Sequence, residues 1–166
     1  MGNYISGRQF ELDVFGFCST DEGIQSLLKY RSFMSCMNKS ISKIKKNGWD
    51  TGKSIHPPDH LLVSRLLYEI RELANNEDTP FTVKVYPTVG TILDYLHGVD
   101  GLITARSLDK KRKALVPFDI TINPYKTPKQ EIVVLRPQNF TDEEMLKQTA
   151  TFFVEIIQRQ LSLQEH

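Results

Sequence analysis

Two aspartates lie within stretches of the sequence that otherwise have the pattern of buried β-strands. Asp100 belongs to VDGLITA (99–105) and Asp119 to ALVPFDITI (114–122), with a basic turn between them. Strand interiors are depleted in aspartate, and a buried carboxylate is costly unless it is paired, hydrogen-bonded or bound to a cation. We therefore expect the two carboxylates to share a partner, and a divalent metal ion is the partner that the pattern favours.

The second stretch alternates between two faces, as a strand does. One face carries Val116, Phe118, Ile120 and Ile122, and the other carries Leu115, Pro117, Asp119 and Thr121. Asp119 is therefore predicted to point away from the main apolar stripe and into a cleft.

These residues resemble the PD-(D/E)XK nuclease superfamily: Asp100 after a turn glycine, then a hairpin, then Asp119 near the end of the next strand. The resemblance covers residues 57–160 as an order of elements and only a few residues as a motif. It implies a restriction-endonuclease-like fold in which Asp100 and Asp119 bind Mg²⁺ or Mn²⁺. It also implies a lysine two residues after the second acid, where this chain has Thr121, and Lys126 is then the candidate that could reach back from the loop.

The helix expected over residues 59–75 places Glu69 at the edge of its apolar stripe, on a wheel of about 100° per residue. The resemblance implies that Glu69 is a third metal ligand, because the helix before the sheet often supplies a glutamate in that superfamily. The alternative is a helical ion pair between Glu69 and Arg65 on a solvated face.

The remaining patterns predict a single α/β (α+β) domain with a central, mixed, four-stranded sheet flanked by helices. Residues 1–56 would form an N-terminal arm and helix, and residues 57–166 the nuclease-like core. Within this segment, residues 1–18 favour an edge strand or an ordered arm, and the apolar spacing from Ser19 or Thr20 to Ile44 predicts a helix. Strands are expected over 81–89 and 130–136, and Thr141 with Glu144 forms a capping box for the last helix.

The formal net charge of +1 argues against a uniformly basic nucleic-acid-binding protein, so attraction to phosphate must come from local clusters. The candidates are Lys43, Lys45 and Lys46 at the end of the first long helix, Lys84 on the first strand, and Lys110, Lys111, Arg112 and Lys113 in the hairpin. Solvated faces, and helix-dipole interactions for the first three, are the alternative reading.

Compartment and membrane association follow from weaker patterns. Cys18 and Cys36 lack the spacing of a metal site and the density of a disulfide scaffold, which favours the reducing cytosol. No apolar run reaches the length of a membrane span. Residues 1–6 fit the pattern for N-myristoylation at Gly2, so a membrane surface is a predicted partner only if that glycine is acylated.

Three functions are compatible with the sequence. The first is a metal-dependent nuclease that cleaves phosphodiester bonds in nucleic acid, with Asp100 and Asp119 on the metal and Lys126 or Lys84 stabilising negative charge. The second is an inactive module of the same fold that binds nucleic acid or protein, suggested by Thr121. The third is a myristoylated peripheral membrane protein with a basic helix. Asp94 and His97 are either further ligands or bases at the first site, or local helix caps.

Overall fold

The computed structural model describes residues 4, 6–16, 32–47, 57–89, 91–129 and 131–164. Its helices are α1 (Gly7–Phe15), α2 (Phe33–Asn47), α3 (Leu62–Asn75), α4 (Ile92–His97), α5 (Gln138–Thr141) and α6 (Glu143–Ser162), and its strands are β1 (Phe81–Pro87), β2 (Gly101–Ser107), β3 (Lys113–Ile120) and β4 (Val133–Leu135). None of the helices in these ranges is long and apolar enough to cross a membrane.

The four strands form one mixed sheet in the order β1-β2-β3-β4. β1, β2 and β3 are an antiparallel meander, and β4 runs parallel to β3. The prediction of an α+β arrangement with a mixed four-stranded sheet and flanking helices is confirmed.

Each face of the sheet carries its own apolar core, because successive side chains of a strand point to opposite sides. Val83, Ile103 and Val116 face α1, α3 and α6, and we call this side the α3/α6 face. The opposite side, the α2/α4 face, presents Tyr86 and Leu102 to α2 and α4. The two cores are therefore separated by the sheet itself.

The edge strand expected within residues 1–18 is a helix instead. The Ser6 side chain accepts a hydrogen bond from the Gln9 N–H at 3.2 Å and caps the first turn. Phe10 and Val14 are buried one turn apart on α1, and Gly16 ends the helix with φ of 70°. Alternate apolar positions suited both a strand and a helix here, and the cap and the terminating glycine favour the helix.

The helix predicted from Ser19 or Thr20 to Ile44 does not run through Ser32. α2 begins at Phe33, and the Ser32 hydroxyl caps it by accepting from the Ser35 N–H at 3.3 Å, while residues 17–31 lie outside the described ranges. At the other end of the chain, the last helix is capped one residue later than predicted. The side chain of Asp142, not of Thr141, accepts from the Met145 N–H at 2.9 Å, while the Thr141 hydroxyl donates to the Pro137 carbonyl at 3.1 Å.

The fourth strand is shorter than the predicted 130–136, and β4 pairs only with residues 118–120 of β3. Two glutamines, one in the last turns of α6 and one just after its end, cover the edge that β4 leaves open. The Gln160 amide both accepts from the Leu115 N–H and donates to the Leu115 carbonyl, at 2.8 Å each. Gln164 does the same at Lys113, at 3.0 and 2.6 Å. The open edge of β3 is thereby blocked against pairing with another strand.

Candidate functional site

Asp100 and Asp119 lie opposite each other on neighbouring strands. Gly101 pairs with Phe118 across β2 and β3, and the next position outward on each strand is the aspartate. The Asp100 N–H continues this ladder by donating to the Phe118 carbonyl at 3.0 Å. By strand alternation both carboxylates are on the α2/α4 face, so the structure brings the two predicted acids together on one side of the sheet.

Position 101 must be glycine because the Phe118 ring occupies the space that a side chain would need on the α3/α6 face. A Cβ atom at position 101 would lie only 2.3 Å from Cζ of Phe118. Phe118 is itself fixed by edge-on or tilted contacts to Phe15 and Phe153, with ring centroids 5.8 and 5.9 Å away. The glycine after Asp100 is therefore a packing requirement of the core beneath the acid pair.

The two carboxyl groups are buried and joined by a side-chain hydrogen bond. Asp100 is 6% exposed and Asp119 7% exposed. Asp100 Oδ2 accepts from the Ile120 N–H at 2.9 Å. Burial, a side-chain hydrogen bond with Asp119 and the nearby charge of Asp94 raise the pKa of Asp100 to about 10, against the opposing effect of the Ile120 N–H. At neutral pH the Asp100 carboxyl is therefore neutral and hydrogen-bonded to its neighbour.

Lys126 completes the cluster from the loop after β3. Its Nζ forms an ion pair with Asp119 Oδ2, and its side chain is 40% exposed whereas that of Asp119 is 10% exposed. The residue that the resemblance suggested in place of Thr121 thus reaches the second acid, and we call Asp100, Asp119 and Lys126 the acid cluster.

Thr121 shapes the loop that carries Lys126. Its N–H donates to the Leu135 carbonyl at 2.9 Å, and its hydroxyl accepts from the Asn123 N–H at 3.0 Å. Asn123 Oδ1 in turn accepts from the Tyr125 N–H at 2.9 Å. These turns hold the backbone after the strand in a defined conformation, so the threonine contributes to loop geometry.

Arg136, directly after β4, holds the same loop by hydrogen bonds. Its guanidinium donates to three backbone carbonyls, those of Asn123 at 3.2 Å, Pro124 at 3.4 Å and Lys126 at 2.7 Å. The sequence reading missed Arg136, because nothing in the spacing links it to a loop that begins more than ten residues earlier. A basic residue directly after a strand parallel to β3 is the only signal that could have suggested it.

Thr88 and Thr91 place α4 beside the acid cluster. The Thr88 N–H donates to the Asp100 carbonyl at 2.7 Å, and its hydroxyl donates to the Val99 carbonyl at 2.6 Å. The Thr91 hydroxyl donates to the Thr88 carbonyl at 2.6 Å. Asp94 on α4 is close enough to raise the pKa of Asp100. His97, at the end of the same helix, packs edge-on against Phe33 with ring centroids 5.5 Å apart.

Glu69 is not brought to the acid cluster. It lies on α3, which packs on the α3/α6 face, whereas the two aspartates are on the α2/α4 face. Glu69 lines a small surface groove with Asp59, Ser64, Arg65, Tyr68, Glu143 and Leu146. The sheet therefore separates this glutamate from the carboxylates with which it was predicted to bind metal.

The predicted phosphate-binding residues are spread over the molecule. Lys84 is half-buried on β1 and on the same face as Asp100. Thr88 is the residue bonded to Asp100, and Lys84 lies four residues before it, about 13 Å along the strand at ~3.3 Å per residue. The hairpin residues 110–113 are at the opposite end of β2, about 23 Å from Asp100 by the same rise. Arg112 there donates to the Leu161 carbonyl at 3.5 Å. Lys84 and the hairpin therefore do not join the acid cluster.

Two sets of predicted residues cannot be placed in full. The backbones of Lys43, Lys45 and Lys46 belong to the last turns of α2, but their side chains lie outside the described part of the chain. Gly2, the predicted acylation site, lies outside it as well.

Asp100 and Asp119 are the candidate ligands for the predicted metal ion. Within the described ranges no three His, Cys, Asp or Glu side chains converge as a metal-binding group. Asp100 and Asp119 still place two hydrogen-bonded carboxyl groups side by side on one face of the sheet, and carboxylate oxygens suit a hard cation that keeps several waters. A divalent ion would replace the proton on Asp100, because it relieves the same repulsion between the two buried carboxylates. The acid pair therefore fits Mg²⁺ or Mn²⁺ as a two-carboxylate site.

A large groove lies beside the acid cluster and not over it. It encloses about 1350 Å³ between β4, the end of α4 and the outer side of α6. Arg136 and Lys129 line the end near the loop, while Phe152 and Leu163 line the part along α6.

Comparison with known proteins adds no family to this description. No protein-family model, no curated protein and no solved structure matches the chain.

Proposed function

We propose that the chain is a metal-dependent nuclease that cleaves phosphodiester bonds in nucleic acid, with a core of the restriction-endonuclease-like type. The observation that carries the proposal is the convergence of Asp100 and Asp119 on one face of neighbouring strands, with Lys126 on the second acid. A buried carboxyl group with a raised pKa, beside a second acid and a lysine at the end of a sheet, is typical of functional sites.

Asp100 and Asp119 would hold one Mg²⁺ or Mn²⁺ ion. When bound, such an ion polarises a phosphoryl oxygen and lowers the pKa of a coordinated water. Lys126 lies on the solvent side of Asp119 and is partly exposed, so its ammonium can face a phosphate and stabilise the charge that develops on the oxygens. Arg136 keeps that lysine in place by holding the carbonyl of Lys126 itself.

A second candidate, the inactive module of the same fold, is favoured by one observation. Both acids already have partners, since Lys126 pairs with Asp119 and the raised pKa of Asp100 leaves that carboxyl protonated at neutral pH. A cation must displace that proton before it can bind. If it does not, the chain would bind nucleic acid through its lysines and arginines without cleaving it, and the binding would weaken as salt increases.

The test is cleavage of supercoiled plasmid and of labelled DNA and RNA oligonucleotides with Mg²⁺, with Mn²⁺ and with a chelator. We expect metal-dependent cleavage by the wild type, and a loss of roughly 100-fold or more in Asp119→Asn and Lys126→Ala, as for removal of one charge-stabilising group. Asp78→Asn and Lys147→Ala are matched controls, because both residues are exposed and lie outside the acid cluster. Undiminished cleavage by Asp119→Asn would discard the site.

Calorimetry with Mn²⁺ separates the two candidates. The nuclease proposal requires Mn²⁺ binding that Asp100→Asn or Asp119→Asn weakens, with release of protons at neutral pH. Nucleic-acid binding with neither Mn²⁺ binding nor turnover would support the inactive module.

A further inference from the structure

The loop that carries Lys126 also presents an aromatic ring to solvent. Tyr125 is 88% exposed, the highest value among the large hydrophobic residues of the described ranges. Ile122 of the same loop is 36% exposed. The same loop carries Lys126 and Lys129, and Arg136 is bonded to its backbone.

The backbone beneath this ring is fixed. The Tyr125 N–H is bonded to Asn123 Oδ1 at 2.9 Å. The residues on either side, Pro124 and Lys126, offer their carbonyls to the Arg136 guanidinium at 3.4 and 2.7 Å. A ligand that stacks on Tyr125 would therefore meet a backbone that is already ordered, which lowers the entropic cost of binding.

The position of the ring relative to the acid cluster suggests the ligand. Tyr125 precedes Lys126, so the two Cα atoms are about 3.8 Å apart, and the Lys126 ammonium lies on Asp119. A nucleotide offers both groups that this arrangement can take: a phosphate for the cation and a flat base for the ring. Base–aromatic stacking of this kind tolerates any sequence, because every base has a π-face.

We propose that Tyr125 is a base-stacking residue and that the site takes an unpaired nucleotide, so that the substrate is single-stranded nucleic acid or a single-stranded segment. This inference rests on the proposed function and specifies its substrate class. The face of a base within a duplex is covered by its stacked neighbours, whereas an unpaired base can place its face on Tyr125.

The test measures binding of single-stranded and duplex oligonucleotides that contain 2-aminopurine, with Ca²⁺ replacing Mg²⁺ so that binding is separated from turnover. We expect the wild type to bind the single strand more tightly and to quench 2-aminopurine. Tyr125→Ala should lose the quenching and weaken single-strand binding roughly tenfold to hundredfold, whereas Tyr125→Phe, which keeps the ring, should stay within about threefold of the wild type.

Tyr68→Ala is the matched control, because Tyr68 is also an exposed tyrosine, at 61%, but lies on α3 away from the acid cluster. Unchanged quenching and affinity in Tyr125→Ala, or equal affinity of the wild type for duplex and single strand, would overturn the stacking proposal. If plasmid cleavage that depends on Asp119 persists in that case, the proposed function stands without it. A wild type that neither binds nor cleaves any of these nucleic acids overturns both.

Discussion

The two ends of the β2–β3 pair carry charge in opposite ways. At one end Asp100 and Asp119 are buried against each other and against Lys126. At the other end the hairpin lysines 110, 111 and 113 are exposed. Polar side chains there complete the structure: Gln160 and Gln164 close the strand edge, and Arg112 donates to the last turn of α6.

The difference shows where to look for chemistry in this chain. The residues of the hairpin end gain hydrogen bonds or hydration and so contribute to stability or cost little. At the acid end, two buried carboxyl groups raise the free energy of the folded state. Lys126 forms an ion pair with one of them, and Arg136 holds the loop that carries this lysine. An arrangement that is unfavourable for stability and yet carefully held is typical of a functional site. Three predictions distinguish the two ends.

The largest expected effect is on the pH dependence of stability in the metal-free protein. Because the pKa of Asp100 is raised to about 10 from 3.8, the folded state keeps a proton that the unfolded state releases. This stabilisation is complete below about pH 4 and is lost as the pH rises toward 10. The slope is at most about 1.4 kcal/mol per pH unit, so the change over the three units between pH 5 and pH 8 is at most about 4 kcal/mol.

Urea unfolding at several pH values in a chelator measures this slope. Asp100→Asn keeps an acceptor for the Ile120 N–H but has no proton to lose, so it should flatten the profile and be more stable than the wild type at pH 8. Asp78→Asn, an exposed change, should leave the slope as it is. If the stability of the wild type does not fall from pH 5 to pH 8, the raised pKa of buried Asp100 is wrong.

The strands and both aspartates could be predicted because their signal is local. Alternation assigned Asp119 to the face opposite Val116 and Phe118, and the structure has it there. A helical wheel shows which side chains share a face of the helix, but not on which face of the sheet the helix packs. The prediction that Glu69 binds metal with Asp100 therefore failed, because α3 packs on the other side of the sheet. Arg136 and Gln160 act on backbone atoms far along the chain, and such contacts leave no period in a sequence.

The second prediction concerns Arg136, which fastens the acid end through three carbonyl oxygens. A lysine carries the same charge but cannot span them with a planar fork. Arg136→Lys should therefore lower the cleavage rate about tenfold, since a catalytic group that is misplaced by a small distance loses much of its effect. The unfolding midpoint in urea should change little, because the guanidinium is only partly buried.

A readout at Lys126 separates positioning from a general structural role. The ¹⁵N resonance of its ammonium, which the ion pair with Asp119 holds in one environment, should shift or broaden in Arg136→Lys, while that of Lys147 on α6 stays unchanged. Normal cleavage together with an unmoved Lys126 resonance would show that the loop holds its lysine without Arg136.

The smallest effect is expected at the hairpin end. Gln160→Ala leaves the N–H and the carbonyl of Leu115 without their side-chain partners on an edge that β4 does not reach. The site is partly buried, so water replaces some of the lost bonding, and we expect a loss of about 1 kcal/mol in urea unfolding.

An edge freed in this way also becomes available to another strand, so sedimentation at increasing concentration should show self-association that the wild type lacks. Cleavage should be unaffected, because Leu115 is four residues, about 13 Å, from Asp119 along β3. A change in cleavage as large as that of Arg136→Lys, with no loss of stability, would mean that the two ends are coupled and that the contrast between them is wrong.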